Sequence, residues 1–176
     1  SIYNEAATAD NATKTNPLFY RPLITDEIRS TLGDVSYIDE IMRDAVLQSH
    51  SISVSGGVGK TKYYISGSYF DQEGIALNTG FERLSTRINS EFEKGRFTFN
   101  ENFSASISRT DNTNNSAIWR TLEMPPTIPV YNPDNEGGYG GTYGDMFDIM
   151  SPIAAQNLMQ NFTNEDYIRG NFSINY

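Results

Sequence analysis

The stretch that decides the fold is residues 82–109, which read ERLSTRINSEFEKGRFTFNENFSASISR. Its side chains alternate in character with a period of two, which is the period of a β-strand. Lys94-Gly95 interrupts the alternation and predicts a tight hairpin turn between strands 82–93 and 96–109. In the first strand, one face carries Leu84, Thr86, Ile88 and Phe92 and the other carries Arg83, Arg87, Asn89 and Glu91.

The same alternation extends on both sides of this hairpin. Ile52 and Val54 alternate with serines in a first strand, and a glycine-rich turn at 56–59 leads into a second strand at 60–71. A further strand is predicted at 166–176, after a long stretch dense in Asn, Gly and Pro. The predicted organisation is a loop segment at 1–48 with a helix near 35–47, four antiparallel strands at 49–109, a long loop at 110–164, and a fifth strand at 165–176.

The lengths of the predicted connections favour a membrane barrel over a β-sandwich. They run short, medium, short and very long, and strands of about ten residues with tight turns at one end and long loops at the other are typical of bacterial barrels. The second face, rich in Ser, Asn, Arg and Glu, suits a watery lumen. Five strands cannot close a barrel, since small closed barrels begin near eight strands, so further chain or further copies are expected to complete it. The alternative is a secreted β-sandwich.

The composition of the chain argues against several classes of function. The 176 residues carry a net charge of −9 and no cysteine, so nucleic acid is an unlikely partner and neither disulfides nor thiolate metal sites are expected. No run is apolar enough for a spanning helix, and the first residues lack the basic and apolar parts of a signal peptide, so we expect an exported chain to be processed or truncated. No convergent acid, base and nucleophile is present, so we predict no catalytic residue, metal or cofactor.

Three isolated features have unremarkable interpretations. Gly56-Gly57-Val58-Gly59-Lys60-Thr61 resembles a phosphate-binding loop, but a strand rather than a helix follows it, which predicts a hairpin turn. The single histidine, His50, has no second ligand with which to build a site. Glu101 falls on the apolar face with Phe99 and Phe103, which indicates a position near the lipid headgroups, a β-bulge or a protein contact.

Aromatic residues in the long loop are the candidate binding residues. On an exposed loop they can stack on sugar rings or contact a partner protein, and they can equally form the loop's own small core. Both interpretations remain open from the sequence. The candidates are Trp119, Tyr131, Tyr139, Tyr143 and Phe147.

Several motifs in order resemble the SusC/RagA-type TonB-dependent transporters of the outer membrane. YIDEIMRDA at 37–45 and QSHSISVSGG at 48–57 resemble the family's hallmark around its second strand, followed by YFDQEGI at 69–75 and FERLSTRIN at 81–89. MPPTIPVY at 124–131, SPIA at 151–154 and YNEA at 3–6 resemble its loop motifs. Glu101 departs from the small or apolar residue that the family usually has there.

The resemblance implies an all-β fold, an antiparallel meander forming about five strands of a large barrel of roughly 22, with one short helix in the N-terminal loop. It also implies a plug, a TonB complex as motor and a SusD-like lipoprotein as lid. The expected function is energised uptake of an oligosaccharide or peptide across the outer membrane of a Gram-negative bacterium, in contact with its lipid. The alternative is a self-contained secreted module that binds carbohydrate or mediates adhesion.

Overall fold

The structure, a computed structural model, describes residues 2–16, 20–21, 23–142 and 149–176, without the side chains of Ile28, Thr31 and Asn115. These residues form two compact units. The sheet unit comprises residues 43–113 and 160–176, and the loop unit comprises the described residues of 1–42 and 114–159. The strands are β1 Leu47–Val58, β2 Thr61–Glu73, β3 Gly80–Lys94, β4 Phe97–Asp111 and β5 Phe162–Asn175.

The helices are α1 Ile2–Asn11, α2 Asp26–Thr31, α3 Tyr37–Ile41, α4 Asn115–Glu123 and α5 Pro152–Leu158. Within the described residues, none of them has the length and apolar character needed to cross a membrane. Three of these helices, α1, α2 and α3, precede β1 in the described residues, whereas we expected one helix there.

The expected helix near 35–47 is wrong in extent. It covers only Tyr37–Ile41, and Met42 follows it in an extended conformation with φ −99° and ψ 148°. The chain then pairs with the β2–β3 connection instead: the Arg43 amide donates to the Ile75 carbonyl at 2.8 Å, and the Glu73 amide donates to the Val46 carbonyl at 2.9 Å. These backbone hydrogen bonds compete with helix formation, and the spacing of apolar residues alone does not reveal them.

The sheet is a five-stranded antiparallel meander in the order β1-β2-β3-β4-β5, which confirms the predicted fold class. Two tight turns join its strands at one end. Gly59 and Gly95 have φ of 61° and 65°, a conformation that glycine adopts without steric cost. The second turn is formed by Gly95 and Arg96, one residue later than predicted, and the glycine-rich stretch at 56–58 belongs to β1.

One face of the sheet is apolar across all five strands, because the register aligns the apolar positions. Ile65, for example, lies opposite Val54 on one side and Ile88 on the other. Ile52 and Ile65 remain 74% and 46% exposed, and Ala76 alone among the described hydrophobic residues of this unit is buried. Among the described residues, the sheet unit therefore has no buried core of its own behind this face, as a sandwich would have. The apolar face carries Ile52, Val54, Ile65, Leu84, Ile88, Phe103, Ile107 and Ile168.

Aromatic rings concentrate on this face near the tight turns. The ring centroids of Phe97 and Tyr176 are 5.0 Å apart, and those of Phe92 and Phe99 are 6.1 Å apart. Transmembrane barrels carry such aromatic girdles where the apolar band meets the membrane interface. The row therefore marks one boundary of the apolar band.

Glu101 lies one cross-strand row from these rings. It pairs one-to-one with Ser90 and with Phe172, so the pairing contains no bulge at this position. The Ser90 hydroxyl donates a hydrogen bond of 3.2 Å to the Glu101 carboxylate. The register that the sequence left in doubt is thus regular, and the carboxylate lies near the boundary of the apolar band, where it is less costly than at its centre.

In a barrel whose apolar face meets lipid, we expect Ile88→Arg to lower the stability by about 2–4 kcal/mol, because Ile88 lies in the middle of the apolar band. Ser68→Arg is the matched control, since Ser68 lies on the opposite, polar face between Ser51 and Ser85. Urea titration of the whole protein in lipid vesicles measures both. Equal effects of the two substitutions would contradict the assignment of the faces.

Candidate functional site

The loop unit is built from two segments that are far apart in the sequence but share one hydrophobic core. Helix α3 of the first segment packs against α4 and α5 of the second. The long stretch at 110–164 is therefore not a structureless loop, since much of it folds onto the residues that precede β1. The buried core consists of Tyr37, Ile41, Ala117, Met124, Ile128, Val130, Ile153 and Ala155.

Tyr37 holds the two segments together by a polar contact inside this core. Its buried hydroxyl donates to the Ile128 carbonyl at 3.1 Å and lies 3.4 Å from the Pro129 carbonyl. Burial raises the pKa of the Tyr37 phenol, and the nearby Glu40 carboxylate acts in the same direction. The phenol therefore remains neutral and keeps its donor proton at physiological pH.

The MPPTIPVY stretch has a structural role in the core. Its apolar residues Met124, Ile128 and Val130 are buried, and its backbone pairs with residues 33–35. The Gly33 amide donates to the Thr127 carbonyl at 3.0 Å, and the Val35 amide donates to the Pro126 carbonyl at 2.8 Å. The stretch contains a turn, closed by a hydrogen bond of 3.2 Å from the Ile128 amide to the Pro125 carbonyl, and it contributes apolar side chains to the core and carbonyls to residues 33–35.

The SPIA stretch forms the start of α5. The Ser151 hydroxyl accepts a hydrogen bond of 3.3 Å from the Ala154 amide, which caps the helix, and Pro152 occupies the first turn, where it loses no hydrogen bond. Residues 152–156 are buried. The N-terminal cap of α5 and the burial of residues 152–156 together hold this helix inside the loop unit.

The YNEA stretch lies on α1, where two asparagines hold the chain that follows. The Asn4 side chain pairs with both backbone groups of Ile24, at 2.8 and 2.9 Å. Asn11 pairs in the same way with Arg21, at 2.8 and 2.6 Å. Residues 4 and 11 are two helical turns apart, so both amides lie on one side of α1.

Among the candidate aromatic residues, Tyr131 and Tyr139 form a pair on a small hairpin. Their ring centroids are 5.6 Å apart, and Gly137 and Gly138 form the turn with positive φ. Tyr131 is exposed, whereas Tyr139 packs against the core and its hydroxyl accepts a hydrogen bond of 3.1 Å from Asn157. Tyr139 therefore contacts both the hydrophobic core and the exposed ring of Tyr131.

Trp119 lies on the outer surface of α4. It is 64% exposed, and its indole donates a hydrogen bond of 2.8 Å to Glu123, one turn later. Leu122, which the sequence analysis did not select, is 71% exposed. Its spacing of three residues from Trp119 on a helix could have revealed it, because such residues share a face. Trp119 and Leu122 together are called the α4 patch below.

The structure thus separates the candidates by position. Trp119 and Tyr131 are exposed on a folded base, Tyr139 is partly buried, and Tyr143 and Phe147 lie outside the described residues. No fact of the structure tests whether any of them contacts a ligand or a partner, so that role stays a prediction. Exposed aromatic rings that are held in place by a packed core are suited to binding.

Comparisons with known proteins find similar outer-membrane receptors. The TonB-dependent receptor SusC of Bacteroides thetaiotaomicron is 29% identical, over an alignment that covers 86% of this chain and 17% of SusC. The TonB-dependent receptor P3 of Formosa agariphila is 27% identical, over 89% of this chain and 16% of P3. The chain is thus similar to SusC and other TonB-dependent receptors over most of its length, in agreement with the resemblance seen in the sequence. No protein-family model matches the chain.

The fold agrees with this assignment. The structure of the RagAB peptide importer in the "closed-closed" state matches 83% of this chain and 18% of that chain, with a TM-score of 0.59 and 24% identity. The predicted SusC/RagA family, the barrel fold and the outer-membrane location are therefore confirmed. The chain spans only 17% and 16% of the lengths of the two curated relatives.

We expect Gly140→Ala to destabilise the loop unit by about 1–3 kcal/mol, because an added Cβ would overlap the Pro129 carbonyl oxygen beside the core residue Ile128. Gly141→Ala is the matched control, since the nearest atom to its Cβ would be the Asn135 amide nitrogen at 3.8 Å. Hydrogen–deuterium exchange of the whole protein should show faster exchange in residues 124–131 for Gly140→Ala alone. Unchanged exchange in that variant would contradict the packing described here.

Proposed function

We propose that the whole protein imports an oligosaccharide or a peptide across the outer membrane, driven by a TonB complex and covered by a SusD-like lipoprotein. The observation that carries the proposal is the two-faced sheet, which continues without a break through five strands that match SusC/RagA-type receptors. An apolar face towards lipid and a polar face towards a lumen are what a solute pathway requires. RagAB is described as a peptide importer, which supports peptides as one substrate class.

The loop unit is the part that we propose to contact the lid or the substrate. Its connections to the sheet leave from the strand ends opposite the tight turns, which in bacterial barrels is the extracellular side. The α4 patch and Tyr131 supply exposed aromatic and aliphatic surface on this unit, and tryptophan and tyrosine are enriched among the residues that dominate binding energies. A packed base holds these side chains in place before binding.

Import is tested by deleting the gene and measuring growth on single nutrients, namely starch oligosaccharides, pectin oligosaccharides and casein peptides. We expect growth on one of these to be lost, to return with the intact gene, and to require TonB. A deletion strain that grows like its parent on all of them, and takes up fluorescent forms of each at the same rate, would contradict the proposal.

The α4 patch is tested by Trp119→Ala combined with Leu122→Ala. We expect affinity for the SusD-like lipoprotein to fall at least tenfold, because truncating a buried interface tryptophan typically costs about 2 kcal/mol or more. Leu158→Ala is the matched control, since Leu158 is 68% exposed on α5 but belongs to no aromatic patch. Co-purification with a tagged whole protein measures both. Unchanged lipoprotein recovery in the double variant would remove the α4 patch from the interface.

A further inference from the structure

The polar face of the sheet contains a compact group of hydrogen-bond donors. Arg87, Ser104 and Arg169 are cross-strand partners on β3, β4 and β5. Asn89, Asn102 and Asn171 form the next row on the same face. The six side chains line one concavity of about 290 Å³. We call these two rows the Arg–Asn grid.

The two arginines of the grid have no carboxylate partner within the described residues, although the chain as a whole carries a net charge of −9. The nearest acidic residue on β3, Glu91, is already paired with Lys62 at 2.7 Å. Glu165 lies four residues from Arg169 along β5, about 13 Å away in an extended strand. Two positive charges therefore lie on the polar face without a neutralising carboxylate among the residues that the structure describes.

Arg83, on the same face, is in a different situation. Its guanidinium lies 5.9 Å from the ring centroid of Phe70 and 5.8 Å from that of Phe81. Contact with two aromatic faces satisfies a cation by a cation–π interaction and shields part of its surface. Arg83 thus provides an internal comparison for Arg87, four residues further along the same strand.

The geometry suits a ligand with several acceptor oxygens. Neighbouring strands are about 4.7–4.9 Å apart, so Arg87 and Arg169 flank Ser104 at a separation that two long side chains can close over one anion. Guanidinium groups bind carboxylates through two parallel hydrogen bonds, and the asparagine amides and the serine hydroxyl add further donors. None of the six residues of the grid carries a carboxylate that would compete for these donors.

We propose that the Arg–Asn grid binds a carboxylate of the imported ligand, so that the substrate class is an acidic oligosaccharide or an acidic peptide. This inference rests on the proposed import function, because it places the ligand in the lumen that the polar face lines. The carboxylate is the shared chemistry of the two ligand types, and the test below separates them.

The test uses the whole protein in detergent and the reaction of phenylglyoxal with arginine, read at each residue by mass spectrometry. The probes are trigalacturonate with neutral maltotriose as its control, and triglutamate with trialanine as its control. We expect one acidic probe to slow modification of Arg87 and Arg169 about fivefold or more. Arg83 should react at the same rate with and without every probe.

Substitution provides a second readout. Arg87→Gln combined with Arg169→Gln should lower affinity for the protective probe at least tenfold, since hydrogen bonds to charged groups contribute more than neutral ones. Arg83→Gln is the control and should change affinity less than about twofold. Heat-modifiable electrophoretic mobility confirms that both variants form the barrel.

Two results would overturn the inference. In the first, neither acidic probe protects the arginines. In the second, both arginines are unreactive without any probe, because another part of the whole protein covers them. The result of the protection experiment can be distinguished from the result of the import test. Import without protection rejects the grid alone, whereas protection in a protein that supports no import rejects the import function and leaves the binding site.

Discussion

The continuous backbone pairing of the five strands, with one apolar face whose described aliphatic side chains stay exposed, is the constraint on which the other features depend. In a membrane every backbone amide and carbonyl must be satisfied within the protein, and a closed barrel is one of the two ways to achieve this. The regular register of this sheet brings Val54, Ile65, Ile88 and Phe103 into one row. A shift of one residue in any strand would move polar side chains onto that face.

The same register gives the polar face its character. Residues that are ordinary on their own strands become a group only when the strands are aligned, as Arg87 and Arg169 do on either side of Ser104. The apolar face is the side that we expect to meet the membrane, and the polar face is the side that we propose to contact a solute. Both follow from one alternation of side chains.

The loop unit has a packed core of its own, which we propose holds its exposed rings in place for binding. Long loops without a core would lose much conformational entropy when they bind. Here the two segments share a core around Tyr37 and Ile41, and backbone pairing at Gly33 and Val35 joins them further. The exposed rings of Trp119 and Tyr131 are therefore presented by a base that is already ordered.

The sequence by itself determined the alternation, the order of the strands, the position of the second tight turn to within one residue, and the resemblance to SusC/RagA-type receptors. These properties are local, because they depend on side-chain period, on glycine and on short motifs. Only the tertiary structure decided that the helix near 35–47 ends at Ile41, that residues 1–42 and 114–159 share a core, and that Tyr139 packs inwards. It also decided that Arg87 and Arg169 lie in one row. Each of these depends on hydrogen bonds or packing between residues that are distant in the chain, which no local pattern records.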